Sequence, residues 1–130
     1  MSPTLFIRDD RSMMKTTTVY GIPNCDTVKK ARNWLTEHGI AYEFHDFKKQ
    51  GVPADLLPIW SEKLGWEKLL NRKGTTWRKL DESVQSSVSN AASAALVMQE
   101  HPSVIKRPVV AWGNGELTVG FNAPEWEALL

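Results

Sequence analysis

The stretch Thr17-Thr18-Val19-Tyr20-Gly21-Ile22-Pro23-Asn24-Cys25-Asp26-Thr27-Val28 decides the fold. Its first half is β-branched and aromatic and reads as a strand, and Gly21-Ile22-Pro23-Asn24 stops that run with turn chemistry. From Cys25 onward the period changes. Val28, Ala31 and Leu35 recur at i, i+3 and i+7, while Lys29, Lys30, Arg32, Asn33 and Thr36 occupy the other face. An amphipathic helix is predicted here, with Asp26 in the first turn where the helix dipole favours an acid, His38 in the last turn, and Gly39 as a left-handed C-cap. Ile40 to Phe47 then reads as a second strand, Tyr42, Phe44 and Asp46 alternating against Glu43 and His45. Strand, helix and strand in so short a span imply a right-handed crossover and parallel pairing.

Downstream, Lys48-Lys49-Gln50-Gly51 breaks the pattern, and Pro53 to Leu64 carries Leu56, Ile59, Trp60 and Leu64 at helical spacing before Gly65. Pro58 belongs in the first turn of that helix or at a kink. Asn71 to Asp81, rich in Arg, Lys and Thr, reads as a loop. Two helical pieces follow, Glu82 to Val88 and Asn90 to Glu100, the second with Ala92, Ala95, Leu96 and Gln99 along one stripe and a stop at His101-Pro102. Val109-Val110-Ala111-Trp112 and Leu117-Thr118-Val119 flank Gly113-Asn114-Gly115, a hairpin signal. Pro124 to Leu130, with Trp126 and Leu130 four apart, fits a closing helix. The fold class is α/β, in the order βαβ, helical insert, ββα. Residues 1–15 show neither period 2 nor period 3.6 and are expected to be a disordered extension, leaving residues 16–130 as the domain.

With 130 residues, of which 42% are hydrophobic and 24% charged, the chain supports one packed core and is too short for two. Sixteen Lys and Arg against fifteen Asp and Glu leave a formal charge of +1, which gives no global footprint for nucleic acid or an anionic membrane. Any anion site is therefore local, and no direct nucleic-acid partner is expected. Apolar runs are a few residues long, far short of the roughly 20 that a membrane-spanning helix needs. Met1 to Met14 lacks the apolar core of a secretory signal, so a cytoplasmic location is expected, and the protein is expected to be a monomer. One cysteine cannot close an intramolecular disulfide or build a several-cysteine zinc site, and His38, His45 and His101 lack ligand spacing. No nucleotide, flavin or metal motif is present, so no bound cofactor is expected.

Cys25 is either a small buried hydrophobe or a chemical group. Its place at a loop-to-helix junction favours chemistry, because unpaired backbone N–H groups and the helix dipole stabilise a thiolate. Pro23 and Asn24 fix the loop before it, and Lys29 lies one turn on. Arg107-Pro108 sits between an irregular segment and a strand, where a prolyl bond pins the backbone and aims a guanidinium. Arg72, in Leu69-Leu70-Asn71-Arg72-Lys73-Gly74, is another cation beside a predicted loop. Two arginines meeting a thiolate make a carboxylate or oxyanion site through bidentate hydrogen bonds, although each arginine taken singly reads as well as a surface charge.

Taken together, Val19 to Ala31, Leu70-Asn71-Arg72, His101 to Val110 and Val119-Gly120-Phe121 resemble the arsenate-reductase (ArsC) family with its Spx and YffB-like branches, across Thr17 to Leu130. The resemblance implies a thioredoxin-like fold with a helical insertion, Cys25 as nucleophile, and Arg72 and Arg107 as oxyanion ligands. Arsenate reductases of the family carry a histidine where Gly21 stands, and a third arginine near the closing helix, where this chain has Phe121-Asn122-Ala123-Pro124. Weak or absent arsenate reduction is expected accordingly. Spx regulators use a Cys-x-x-Cys switch, whose second cysteine is replaced by Val28. The YffB-like branch remains, and it implies a thiol-dependent oxidoreductase: a single-cysteine reductase in which glutathione is co-substrate and glutathione or glutaredoxin is the partner that resolves the Cys25 adduct. The alternatives are an Spx-like regulator that binds RNA polymerase, and an arsenate reductase.

Overall fold

A computed structural model describes residues 16–130. The expected extension, residues 1–15, lies outside the described residues. The predicted βαβ unit is present as β1 (Thr17–Gly21), α1 (Asp26–Glu37) and β2 (Tyr42–Asp46), with β1 and β2 parallel and Val19 opposite Phe44. Helix α1 buries Val28, Ala31, Trp34 and Leu35. Its end is a Schellman arrangement: Gly39, at φ 70°, donates its N–H to the Thr36 carbonyl, and Ile40 donates to Leu35.

The chain then enters the insert. Phe47 begins a short helix, α2 (Phe47–Gln50), and does not end the strand as the alternation had predicted. The reason is local: the Asp46 carboxylate accepts the Lys48 backbone N–H at 2.8 Å, capping a turn that strand pairing cannot compete with. Helix α3 covers Leu57–Leu64, shorter than the predicted Pro53–Leu64, with Pro58 in its first turn. Helix α4 (Trp66–Leu69) follows directly. The predicted loop over Asn71–Asp81 contains a helix, α5 (Thr75–Lys79). Five residues are too few for a helical period to show, and the β-branched Thr75-Thr76 disguise it further. After α6 (Glu82–Ser87), the Asn90 side chain and Ser93 make a reciprocal capping box that starts α7 (Ala91–Glu100). The buried residues of α7 are Ala94, Val97 and Met98, whereas Leu96 is 68% exposed. The predicted stripe of Ala92, Ala95, Leu96 and Gln99 was therefore rotated from the true one. A helix that is apolar nearly all round does not declare its face. Neighbouring elements choose it.

A 3₁₀ turn (Pro102–Val104) leads out of the insert, and an antiparallel bridge pairs Leu70, just after α4, with Ile105. Strands β3 (Val109–Ala111) and β4 (Leu117–Val119) form the predicted antiparallel hairpin. Gly115 donates to the Trp112 carbonyl at φ 96°, a left-handed position that a side chain would strain. The closing helix α8 (Ala123–Ala128) starts where Asn122 caps the Glu125 N–H.

Among the described residues the four strands form one sheet in the order β2-β1-β3-β4, with β3 antiparallel to β1, a thioredoxin-like arrangement. Strand alternation sends Val19 and Val110 to one face, where they pack with Ala31, Trp34, Leu35, Trp112 and Trp126 under α1 and α8. Val109 and Val119 face the other way, onto Phe47, Leu57, Trp60, Leu69, Val97, Met98 and Ile105 of the insert. Both faces are thus covered, and the carboxyl ends of β1 and β2 are left at one rim. No helix of the described residues is long and apolar enough to cross a membrane.

Candidate functional site

Cys25 sits at that rim as the N-cap residue of α1, with extended backbone (φ −130°, ψ 126°) and its carbonyl accepting the Lys29 N–H at 2.9 Å. The thiol is half-buried. Burial, the largest influence on it, pushes its pKa up. The Val28 backbone N–H, the Arg107 guanidinium through hydrogen bonding and charge, and the Thr27 N–H together outweigh burial and hold the thiol below its ordinary value. Cys25 makes no side-chain capping hydrogen bond in this structure, and a thiolate there gains from the N–H groups and dipole of the helix start.

Arg107 is held for this task by the chain just before β3. Its Nη1 donates to the Ser103 carbonyl at 2.7 Å and more weakly to that of Ile105 at 3.4 Å, while Nε is buried without a partner among the described residues. The Arg107–Pro108 peptide bond is cis, and Pro108 is buried and does not line the cleft. Cys25 and Arg107 open into a cleft of about 450 Å³ that also takes in Asn24 from the loop, Asp46, Lys48 and Lys49 from the end of β2 and α2, Thr76 from α5, and Ser103. Three cations, Lys48, Lys49 and Arg107, face one carboxylate, Asp46, so the cleft favours an anion or a zwitterion near the sulfur.

The structure thus brings Asn24, Cys25 and Arg107 together. It places two other predicted residues elsewhere. Lys29 is exposed on the outer side of α1 and lines a separate groove with Arg32 and Tyr42, because the neighbouring Val28 points into the core. Arg72 lies with Lys68, Lys73 and Lys106 in another cleft, its guanidinium 5.1 Å from the Trp66 ring centroid, and does not line the Cys25 cleft. Conversely, Asp46, Lys48, Lys49, Thr76 and Ser103 went unnoticed in the sequence. For the first three a signal existed: they follow a strand in a parallel βαβ unit, and in such sheets ligands gather outside the carboxyl ends of the strands. Thr76 and Ser103 carried none. Among the described residues no group of three or more His, Cys, Asp or Glu could hold a metal ion.

Position 21 has little room for a larger residue: a Cβ there would come within 3.0 Å of Val28 Cγ2, with Phe44 beyond. No side chain therefore reaches the sulfur from that place.

The ArsC family model matches residues 20–129. A solved structure of a YffB protein is 46% identical, covering 87% of this chain and 97% of that one with a TM-score of 0.82. An arsenate reductase-related protein of Brucella melitensis is 53% identical, with coverage of 88% and 93% and a TM-score of 0.68. The global transcriptional regulator Spx of Streptococcus mutans is 30% identical over 87% of this chain and 82% of its own.

Proposed function

The chain belongs to the ArsC family, and from that premise we propose that it is a single-cysteine, glutathione-linked thiol reductase. The observation that carries this reading is the Cys25 sulfur at the N-terminus of α1, set against Arg107 in an open cleft with two lysines. The thiolate attacks one sulfur of a mixed disulfide between glutathione and a substrate thiol. A Cys25–glutathione disulfide forms and the substrate thiolate leaves, taking a proton from water. A second glutathione thiolate then attacks this adduct, releasing glutathione disulfide and restoring Cys25. External resolution is required, since the chain has one cysteine. Arg107 stabilises the Cys25 thiolate before attack and again as it leaves the adduct. Such a cycle draws on the glutathione of a reducing compartment, and the cytoplasm is the proposed location.

Arsenate reduction is the weaker use of this site. Position 21 supplies no side chain toward the sulfur, and Arg72 stands in a different cleft. Each missing electrostatic ligand costs about 10²-fold or more when it acts in a transition state.

The decisive experiment is turnover of a small glutathione mixed disulfide with glutathione, coupled to glutathione reductase, alongside intact mass of the stalled enzyme. Turnover lost in Cys25→Ser, with one glutathione trapped on the wild type, supports the reading. Absence of both in the wild type removes it. Similarity to Spx favours a second reading, a regulator that docks on RNA polymerase without chemistry. A stable polymerase complex indifferent to Cys25→Ser would select it.

A further inference from the structure

Asp46, Lys48 and Lys49 occupy one short unit at the end of β2, and all three line the Cys25 cleft. The unit is fixed on both sides. Asp46 pairs with Gly21 in the parallel register, its carboxylate accepts the Lys48 N–H at 2.8 Å, and its own N–H donates to Gln50 Oε1 at 3.0 Å. Asp46 is 8% exposed, whereas both lysines are solvent-exposed. A carboxylate has more lone pairs than one cap uses, so Asp46 retains capacity for a second donor. Gly21, its strand partner, lies in the run that leads to Cys25, and Cys25, Asp46, Lys48 and Lys49 line one cleft of about 450 Å³, so a thiol or disulfide whose sulfur lies at Cys25 occupies the space this mixed-charge unit borders.

We propose that Asp46, Lys48 and Lys49 form a specificity subsite that reads the γ-glutamyl end of the incoming thiol or disulfide. Asp46 takes the α-ammonium and the lysines take the α-carboxylate. The charge pattern makes the choice. A neutral thiol gains nothing from the unit, and a simple anion meets Asp46 as well as the lysines. A group carrying both signs on one carbon satisfies all three residues. This inference rests on the thiol reductase reading and names which end of the co-substrate the cleft recognises.

The test follows a single exchange step on the whole protein. The Cys25 thiolate attacks glutathione disulfide, one S–S bond breaks as another forms, and a glutathione thiolate leaves and is protonated by water. Glutathione disulfide is the oxidant, one half of it joining Cys25 in the mixed disulfide and the other leaving as reduced glutathione. Adduct formation is timed by intact mass with two probes, glutathione disulfide and the disulfide of N-acetylcysteinylglycine, which keeps the peptide and the glycine carboxylate but lacks the zwitterion. The wild type reacts about tenfold faster with glutathione disulfide, a preference that shrinks with salt because the lysines are exposed. In Lys48→Gln/Lys49→Gln, and separately in Asp46→Asn, which keeps a side-chain oxygen for the α2 cap, the ratio of the two rates falls toward one. A wild-type ratio near one, or a preference that survives both variants, overturns the subsite while leaving Cys25 reactive. If Cys25 reacts with neither probe, the thiol reductase reading fails and the subsite with it.

Discussion

Arg107→Met removes the guanidinium beside Cys25 while keeping most of the apolar stem, and its consequence can be worked through. Burial already pushes the thiol up, and Arg107 opposes it by both a hydrogen bond and its charge, leaving only the Val28 and Thr27 N–H groups on that side in the variant. A hydrogen bond to a charged group is worth about 1.5–3 kcal/mol, and the low end applies in a cleft open to solvent. Losing about 1.5 kcal/mol cuts the thiolate population roughly tenfold at pH values below the thiol's range. A thiolate of higher basicity is a better nucleophile, with a Brønsted slope of about 0.4–0.5, which returns roughly threefold of that loss. The net expectation is alkylation about threefold slower at neutral pH, but faster than wild type once both thiols are fully ionised. Iodoacetamide alkylation against pH, read by intact mass, checks both limbs, and the two profiles should cross. A profile unchanged by Arg107→Met, or one moved to lower pH, refutes the assignment of Arg107 as the charge that activates Cys25. Stability carries the same sign. The folded thiol sits below its unfolded value, so its contribution is fully present above the unfolded value and is lost as pH falls through the folded one. The denaturation midpoints of wild type and Cys25→Ser should therefore diverge in favour of wild type as pH rises through the thiol range.

Arg72→Ala should leave the Cys25 alkylation profile in place, because Arg72 packs over Trp66 in a different cleft; a shift comparable to that of Arg107→Met would put Arg72 back at the sulfur. Trp126→Ala should cost about 3–5 kcal/mol in urea denaturation, since Trp126 is fully buried and meets Trp34, Trp112 and Phe121 edge to face; a loss below about 1 kcal/mol would mean that this side of the sheet can close without it. Tyr20 is raised above 10.0, first by burial and then by Asp55, so stability is kept below that value and lost as pH climbs through the folded one. Tyr20→Phe should therefore flatten the alkaline limb of a melting profile, and an unchanged limb would place the titration elsewhere.

The sequence by itself determined the elements whose signals lie within a few contiguous residues. The period of α1, its Gly39 cap, the Gly113-Asn114-Gly115 hairpin and the junction that carries Cys25 are all of this kind, because dihedral preference and amphipathic spacing act locally. Local signals failed where they were short or symmetric. Helix α5 is too brief to show a period, Asp46 redirected the chain with a single side-chain hydrogen bond, and α7 is apolar on too many sides to name its buried face. The site divides along the same line. Cys25 announced itself, since a helix N-terminus is made by its own neighbours. Its company did so only in part: Asn24 and Arg107 meet it as the sequence suggested, Asp46, Thr76 and Ser103 join them unannounced, and Arg72, as promising in the sequence, lines another cleft. Those residues lie far apart in the chain, and whether they converge depends on how the insert packs against the sheet and on pairings within it such as the Leu70–Ile105 bridge. That packing is the sum of many small contacts spread over the whole domain, which no short stretch of sequence encodes.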